Sequence, residues 1–376
     1  MSDDIVITAA SDVTLEWLNR VLTRAGAIET GAVSRFKIVP GEGTWSTNAR
    51  IRVAYRKGST GTTPTALFLK MCRARESRFV LESEVDYYTG DYAGCDGAPL
   101  VACYDARYSR DLGAYHILMA DLTATHQTTW HATGAQEHAM VVAGNWHVTP
   151  AIDHALTLAG ALATLHAYRW GVARWPGTAG VIPSEATLTR YIDHISEGLD
   201  PMLGDIVGAV PDAWEATLRA IFRSHPRLMA ERTHNPEGFT LVHGDVNPGN
   251  VLSPDAPGGE TYLIDRQPFE WSLTTWLGAS DLAYMMIPWW DEASRRALEM
   301  PVLTAYHAAL VRLGVSDYTW DELLADYRLC VIEAVYTAVE WCGTEEGLRD
   351  KKWIWFPKLQ RAMTAFADWR CSELLS

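Results

Sequence analysis

Residues 241–267 combine carboxylates and amides whose spacing suits chemistry on phosphate groups. The motif HGDxNxxN contributes Asp245 and Asn250, and Asp265 follows a short apolar run. A carboxylate such as Asp245 can accept the proton of an attacking hydroxyl. An amide and a second carboxylate supply the hard oxygen ligands that Mg²⁺ prefers. The sequence therefore predicts Asp245 as the catalytic base of a phosphoryl transfer and Asn250 and Asp265 as Mg²⁺ ligands.

A structural interpretation of the same residues is weaker. The triplet His-Gly-Asp alone could form a turn before a strand, because Gly and Asp favour turns and Asp also caps helices. The complete motif is followed by an apolar run that ends in Ile264-Asp265, and this combination is harder to obtain by chance. The full set therefore favours catalysis.

These motifs resemble the Brenner-type motif of the aminoglycoside phosphotransferase and choline kinase-like small-molecule kinases. The tetrapeptide at 264–267, IDRQ, resembles the IDxQ form of ecdysteroid kinase-like members, although Arg266 stands where relatives often have an aromatic residue. Protein kinases carry HRD and DFG at the corresponding places. Here Gly244 replaces the Arg of HRD, and neither DFG nor a downstream Ala-Pro-Glu occurs. The resemblance therefore implies a small hydroxylated substrate and disfavours a protein substrate.

The resemblance also implies a fold. A chain of 376 residues exceeds the size at which a single core usually stops growing, so two lobes are expected. We predict an α+β, bilobal, protein-kinase-like fold. Residues 1–121 would form a nucleotide-binding N-lobe with an antiparallel sheet and one main helix. Residues 122–376 would form a larger, mostly helical C-lobe with the catalytic loop, the metal site and the acceptor pocket.

Hydrophobic periodicity places the elements of both lobes. A first helix is predicted within 12–29, with Ser11 or Asp12 as its cap. The predicted N-lobe strands are 35–39, 49–55, 66–70, 98–105 and 114–120, with an amphipathic stretch at 76–92. The predicted C-lobe helices are 152–168, 186–200, 211–231, 291–313, 319–342 and 357–373.

Lys70 ends the third predicted strand, where a long cationic side chain can reach the α- and β-phosphates of a nucleotide. Such a lysine needs a carboxylate from the adjacent helix to orient it. Glu84 matches the family pattern of a Glu followed by two aromatic residues, and Glu82 and Glu76 are alternatives. Alone, Lys70 would be read as a solvated strand end. With the catalytic motif present, the ion pair with Glu84 is favoured.

Two further segments are predicted to contact the nucleotide. The two-glycine turn at 41–48 lets backbone N–H groups approach phosphate oxygens, and hydroxyls there add donors. The segment 117–122 resembles the family's linker between lobes, where main-chain groups meet the adenine edge; an ordinary edge strand is the alternative. Besides Lys70 and Glu84, the expected nucleotide-binding residues are Gly41, Gly43, Thr44, Ser46, Met119, Ala120 and Leu122. The implied cofactors are ATP, or alternatively GTP, and Mg²⁺.

Three more polar residues are expected to support the structure around the catalytic loop and not to react themselves. His166 lies in a stretch that resembles the family's LAxLH helix, so a hydrogen-bonded core position is expected. Asp281 matches a family Asp that either caps a helix or orients the backbone of the catalytic loop. His243 is expected to support the loop through hydrogen bonds.

The acceptor is less well defined by the sequence. Sixteen tryptophans are present, and aromatic faces can stack on sugar rings or surround a cation. The late tryptophans are Trp271, Trp276, Trp289, Trp290, Trp341, Trp353 and Trp355. Acidic residues among them, including Glu270, Asp291 and Glu340, would suit an amine of the aminoglycoside type. A neutral hydroxylated natural product in an aromatic pocket is the alternative, and each tryptophan singly is better explained as core.

Composition excludes several other classes. The net charge of −14, from 46 acidic and 32 basic residues, argues against nucleic acid and anionic membranes as partners. No apolar run reaches the ~18–20 residues that cross a bilayer, and the start of the chain is acidic, so a cytoplasmic location is expected. A hydrolase is disfavoured because no GxSxG motif occurs. A catalytically silent nucleotide-binding protein is the remaining alternative.

Overall fold

The structure, a computed structural model, describes residues 5–42, 46–73, 82–128, 147–171, 182–266 and 268–375. The chain forms two compact units. The first combines Met1–Gln127 with Pro254–Glu270, and the second combines Thr128–Ser253 with Trp271–Ser376. Among the described residues, no helix is both long enough and apolar enough to cross a lipid bilayer.

The first unit contains a five-stranded antiparallel sheet in the order β1-β2-β3-β5-β4. Its strands are β1 (Val33–Glu42), β2 (Thr47–Tyr55), β3 (Ala66–Arg73), β4 (Cys103–Ser109) and β5 (Ala114–Ala120). Strand β2 alternates buried Ala49 and Ile51 with exposed Arg50 and Arg52, the period of two that a sheet with one covered face requires. The predicted antiparallel sheet is confirmed, although the fourth strand begins at Cys103 rather than at residue 98.

Helix α1 (Leu15–Arg24) covers one face of this sheet, and Leu18 and Leu22 pack in the same core as Ile51 and Leu67. Burial of this apolar face stabilises the helix more than its intrinsic propensity does.

The predicted cap of α1 was wrong. The cap is Thr14, whose hydroxyl accepts a hydrogen bond from the Trp17 amide at 3.1 Å. The carboxylate of Asp12 instead accepts from the amides of Thr8 and Ala9 and closes a preceding 3₁₀ turn. Asp12 is therefore engaged upstream of the helix and does not cap it.

Helix α2 (Glu82–Asp86) continues into a π-helical turn, Tyr87–Asp91. The first part of the amphipathic stretch predicted at 76–92 lies outside the described residues. The segment Pro254–Glu270 packs with this region: the Leu263 amide donates to the Pro99 carbonyl at 2.9 Å, and the Tyr87 hydroxyl donates to the Leu263 carbonyl at 3.3 Å. These hydrogen bonds join segments that are far apart in the sequence.

The remaining strands are short: β6 (His126–Thr128), β7 (Phe239–Leu241), β8 (Val251–Pro254), β9 (Tyr262–Leu263) and β10 (Thr275–Leu277). Strands β7 and β10 pair antiparallel in the second unit.

The rest of the second unit is mostly helical, as predicted. Its α-helices are α3 (Ile152–Tyr168), α4 (Glu185–Ser196), α5 (Leu199–Asp205), α6 (Ala213–Arg232), α7 (Gly278–Met286), α8 (Glu292–Arg312), α9 (Trp320–Glu333), α10 (Tyr336–Val339), α11 (Glu345–Asp350) and α12 (Lys352–Asp368). The helix predicted at 319–342 divides into α9, α10 and a 3₁₀ turn, Glu340–Gly343. Helix α7 was not among the predicted helices; it is short, and most of its residues are buried.

Candidate active site

Lys70 and Glu84 form a buried ion pair in the first unit. Lys70 lies in β3, and its Nζ is 2.7 and 2.9 Å from the two carboxylate oxygens of Glu84 in α2. The two residues are only 8% and 1% exposed. The alternative partner Glu82 instead binds Arg110 at 2.6 Å, and Glu76 lies outside the described residues. The ion pair predicted from the sequence is therefore present, with Glu84 as the partner.

Asp265 joins this pair. Its Oδ1 lies 2.5 Å from Lys70 Nζ. The side chain is 41% exposed, and no described residue donates a hydrogen bond to Oδ2. Asp265 has a left-handed backbone, φ 64°, a conformation that Asp adopts more readily than most residues. A carboxylate with one engaged oxygen and one open oxygen has the chemistry of a Mg²⁺ ligand.

The charges around Lys70 keep it cationic. Burial alone would lower its pKa, but the adjacent carboxylates of Glu84 and Asp265 raise it above the ordinary value. Tyr115 donates a hydrogen bond to Glu84 Oε2 at 2.5 Å and so holds that carboxylate from its other side. The result is a fixed ammonium group that can bind phosphate oxygens.

Arg266 is buried and ties the segment after Asp265 to α2. Its Nη1 donates to the Ser83 hydroxyl at 2.8 Å and lies 3.3 Å from Asp91 Oδ2. Arg266 therefore balances the acidic charge of Asp91 within its own unit. Gln267 lies outside the described residues.

The end of β5 offers main-chain groups to a ligand. Met119 is buried and paired with Phe68 of β3. The Ala120 amide donates to the Ala102 carbonyl at 2.9 Å. Among the described residues, no acceptor lies opposite the Leu122 amide. The strand edge predicted to bind the base therefore has a free donor.

The glycine turn is only partly described. Gly41 pairs with Asn48 across the β1–β2 ladder, and a Cβ at position 41 would lie 2.4 Å from Asn48 Oδ1. A side chain at this position would therefore require the Asn48 amide to move aside. Ser46 directly precedes β2 and is partly exposed. Gly43 and Thr44 lie outside the described residues.

In the second unit, three side chains orient the Asp245 carboxylate. Its Oδ1 accepts hydrogen bonds from the Tyr284 hydroxyl at 2.8 Å and from Asn247 Nδ2 at 2.9 Å. Its Oδ2 accepts from Asn250 Nδ2 at 3.0 Å. Burial and the Asp245 charge hold the pKa of Tyr284 well above its usual value, so this hydroxyl remains a donor. A carboxylate fixed in this way can accept a proton from a hydroxyl placed beside it.

Asn250 is buried and uses only one end of its amide. Its Nδ2 donates to both the backbone carbonyl and Oδ2 of Asp245, and no described residue donates to its Oδ1. That oxygen therefore suits a hard cation. The described residues contain no cluster of three or more His, Cys, Asp or Glu that could hold a metal. Single oxygen donors such as Asn250 Oδ1 fit Mg²⁺, which commonly binds through one or two protein oxygens together with phosphates and water.

Asp281 of α7 orients the backbone that precedes Asp245. Its two oxygens accept from the amides of His243 at 2.6 Å and Gly244 at 2.8 Å, and Gly244 has φ 78°. Asp281 makes no side-chain cap of α7, so it orients the loop, the second of the two roles considered. Burial would raise the pKa of Asp281, but the hydrogen bond and charge of His166, the charge of His243 and the Gly244 amide together lower it.

His166 has the predicted core position. It is fully buried, with Nε2 3.0 Å from Asp281 and Nδ1 2.8 Å from the Tyr306 hydroxyl. Tyr284, in contrast, was missed by sequence reasoning. The available signal was its place one helical turn after Asp281, which puts the two side chains on the same side of α7.

Four of the late tryptophans fall into two kinds. Trp276 and Trp355 are buried, and their indole N–H groups donate to Glu333 and to the Leu348 carbonyl. These two belong to the core. Trp289 and Trp341 instead flank the ammonium of Lys358, a buried residue of α12 that sequence reasoning also missed.

No protein-family model matches the sequence, and the comparison with curated proteins finds no match. Solved structures do match. The structure of a protein described as an aminoglycoside phosphotransferase from Ralstonia eutropha JMP134 aligns with a TM-score of 0.54 and 11% identity, covering 94% of this chain and 98% of the other.

Two further structures align over similar lengths. A glucosamine kinase gives a TM-score of 0.53 at 16% identity, covering 99% of this chain and 91% of the other. Choline kinase from Cryptosporidium parvum Iowa II gives 0.50 at 10% identity, covering 91% and 90%. The chain therefore has the protein-kinase-like fold of the small-molecule kinases, as its sequence predicted.

Proposed function

We propose that this protein is a small-molecule kinase that transfers the γ-phosphoryl group of ATP to a hydroxyl of its substrate. The observation that carries the proposal is the buried Lys70–Glu84 ion pair with Asp265 on the same ammonium. A lysine–glutamate pair of this kind and a metal-binding Asp are the parts that kinases use to hold nucleotide phosphates. The shared fold agrees with this assignment.

In the proposed reaction, Asp245 orients the acceptor hydroxyl and takes its proton. The oxygen forms a bond to the γ-phosphorus while the bond from that phosphorus to the bridging oxygen breaks, and ADP leaves. Tyr284 and Asn250 keep the carboxylate in place for this transfer. Mg²⁺, when bound, neutralises charge on the phosphates, and Asn250 and Asp265 are each proposed as its ligands.

The nucleotide is proposed to bind through the first unit. Lys70 would contact the α- and β-phosphates, and the turn after Gly41, with Gly43, Thr44 and Ser46, would lie over them. The Ala120 carbonyl and the Leu122 amide would meet the edge of the base beside Met119. The free Leu122 donor supports this arrangement and suits ATP or GTP.

The acceptor is proposed to be a small hydroxylated molecule rather than a protein. The matching structures carry the names of an aminoglycoside phosphotransferase, a glucosamine kinase and a choline kinase. Each of these names refers to a hydroxyl-bearing small molecule. For this chain, an aminoglycoside-like antibiotic and another hydroxylated natural product are both within the proposed class.

The proposal is tested by measuring ADP release with Mg²⁺-ATP across a panel of aminoglycosides, other hydroxylated antibiotics, choline-like amines and steroids. Release that depends on one acceptor, and that Asp245→Asn abolishes, is the expected result. Metal-dependent nucleotide binding, seen as a thermal shift, without transfer to any alcohol would instead support a catalytically silent nucleotide-binding protein.

A further inference from the structure

Lys358 lies in an unusual setting within the second unit. It is a buried residue of α12, only 3% exposed. Its Nζ is 4.1 Å from the ring centroid of Trp289, 6.0 Å from that of Tyr284 and 5.9 Å from that of Trp341. We call these three rings the aromatic box. Within about 6 Å of a ring centroid, a cation is attracted by the negative face of the ring.

The Lys358 ammonium lacks conventional partners. Among the described residues, no oxygen accepts a hydrogen bond from its Nζ and no carboxylate lies within salt-bridge distance of it. Within the described part of the chain, its three N–H donors face aromatic rings and no oxygen acceptor. Lys358 Nζ is not among the fully buried polar atoms of the described residues that lack a partner, so its donors can be reached by water or by a bound group.

The aromatic box adjoins the proposed catalytic base. Tyr284 belongs to the box through its ring and donates to Asp245 Oδ1 at 2.8 Å through its hydroxyl. Trp289 follows on the same stretch of chain, with its ring 6.2 Å from that of Tyr284. Tyr284, Trp289 and Trp341 are all partly exposed, while Lys358 is buried against them. A group bound beside Asp245 would therefore meet the box and its lysine.

The charge state of Lys358 agrees with this view. Burial lowers its pKa to about 8, the charges of Asp245 and Glu340 oppose that effect, and Arg361 adds to it. The ammonium form therefore predominates at neutral pH. Burial also raises the pKa of Glu340 to about 7, against the opposing charge of Lys358. Glu340 thus carries only part of a negative charge near the box.

We infer that Lys358 is a specificity-determining residue of the acceptor site. Its ammonium occupies the aromatic box, the kind of site that would otherwise take a quaternary ammonium ligand. The acceptor therefore presents to the box an uncharged or anionic oxygen-bearing group, to which Lys358 donates hydrogen bonds, and not a cationic amine. The inference rests on the proposed function for the identity of this site as the acceptor site. It favours a neutral hydroxylated compound over an amine of the aminoglycoside type.

The test uses two alcohols that differ by a single charge. Choline and 3,3-dimethylbutan-1-ol have nearly the same shape, but only choline carries a cation. Binding of each is measured by isothermal titration calorimetry with the full chain. We expect the wild-type protein to bind the neutral alcohol more tightly than choline. In Lys358→Ala the box is empty, and the preference should reverse, with choline affinity rising about 30-fold, the factor that a desolvated cation–π contact supplies.

Lys352 provides a matched control on the same helix. Its Nζ also lies near two aromatic rings, 5.7 Å from Trp355 and 5.5 Å from Phe356, but it is paired with Asp205. Lys352→Ala should keep the wild-type preference. If Lys358→Ala does not fold, Lys358→Met retains an apolar side chain in the box, and the preference for the neutral alcohol should fall toward equality.

Either of two results would overturn the inference: wild-type protein that binds choline as tightly as its neutral isostere, or a folded Lys358→Ala variant that gains no affinity for choline. Neither measurement requires phosphoryl transfer. A reversal of preference without ADP release from any alcohol would reject the proposed function but keep the role of Lys358 in ligand selection. Transfer to alcohols without any reversal would reject the role of Lys358 alone.

Discussion

Asp245 is a carboxylate that three neighbouring side chains orient while it stays partly exposed. Replacing it by Asn preserves its size and removes its basicity. We expect Asp245→Asn to lower kcat by about 10²–10⁴-fold, the usual contribution of a general base, with little change in the midpoint of thermal unfolding. The assay is ADP release under saturating nucleotide.

The control for this variant is Asp255→Asn, because Asp255 is an exposed aspartate further along the same segment. It should retain full turnover. Near-normal turnover in Asp245→Asn itself would reject Asp245 as the base.

Lys70 is the cation on which two carboxylates converge. In Lys70→Met, the phosphates lose their fixed ammonium, and Glu84 remains buried without its partner. We expect kcat/KM for the nucleotide to fall about 10²–10³-fold, as when one preorganised donor is removed. The free energy of unfolding should also fall by about 3–5 kcal/mol, the cost of breaking a buried ion pair. Steady-state kinetics and urea unfolding measure the two effects.

Lys57→Met is the matched control, since Lys57 lies exposed in the turn between β2 and β3. Lys57→Met should change neither kcat/KM for the nucleotide nor the free energy of unfolding. Unchanged nucleotide kinetics in a folded Lys70→Met protein would contradict the role assigned to Lys70.

At the residue scale, the sequence predicted groups that a motif contains and missed groups that only packing brings in. Lys70 and Glu84 are 14 positions apart, and family spacing was enough to pair them. Lys358 and Trp289 are distant in the chain, and nothing in their local sequences indicates contact. Tertiary contacts of this kind depend on how the helices pack, which residue periodicity does not specify.

At the scale of elements, α7 supports the loop that carries Asp245 through two hydrogen bonds to Asp281. In Asp281→Asn, one amide of the loop loses its charged acceptor, and His166 loses its partner. We expect a loss of about 1–3 kcal/mol in unfolding free energy at neutral pH and a marked loss of activity. Urea unfolding and steady-state kinetics are the measurements.

The loss of unfolding free energy in Asp281→Asn should depend on pH. The pKa of Asp281 is lowered in the folded state, so the ionised carboxylate stabilises the fold above its unfolded pKa of 3.8. That contribution is lost as the pH falls below this value. The stability difference between the wild type and Asp281→Asn should therefore shrink on acidification below about pH 4. A difference that stays constant down to the acid transition would contradict this account.

His225 of α6 joins two other helical segments. Its Nδ1 lies 2.9 Å from the Tyr336 hydroxyl and its Nε2 3.1 Å from the Leu329 carbonyl. Burial lowers its pKa to about 3 from an ordinary 6.5. Between these values the unfolded chain binds a proton that the folded chain does not, so stability should rise with pH by up to about 1.4 kcal/mol per unit.

Urea unfolding of the wild type and His225→Gln between pH 4 and 6.5 tests this slope. His225→Gln should lose this rise in unfolding free energy with pH, whereas His234→Gln, which changes an exposed histidine, should keep it. An identical slope in the wild type and His225→Gln would show that His225 does not carry this proton.

Periodicity predicted the amphipathic helices well, because α3, α6 and α8 each bury one side against the core. It failed for α7, which is short and mostly buried, and for the first cap, where Ser11 or Asp12 was predicted and the structure uses Thr14. Caps depend on which side-chain oxygen reaches the first amides, and that is decided by the path of the preceding loop.

At the scale of the whole molecule, the fold is shared with small-molecule kinases over nearly the full length of the chain, although identity is only 10–16%. The sequence predicted this fold from about 25 residues around Asp245 and Asp265, because chemistry restricts those positions more than packing restricts the core. The packing of Pro254–Glu270 with the first unit was not predictable, since it depends on hydrogen bonds between segments far apart in sequence.

The proposed reaction delivers the γ-phosphoryl group of ATP to an alcohol. The most direct measurement incubates the wild-type protein with γ-labelled ATP, Mg²⁺ and the hydroxylated panel, and identifies the labelled product by chromatography and mass spectrometry. We expect label in a phosphate ester of one acceptor, formed by the wild type and nearly absent with Asp245→Asn and Lys70→Met. Label that remains in ATP or appears only as inorganic phosphate with every acceptor would contradict it.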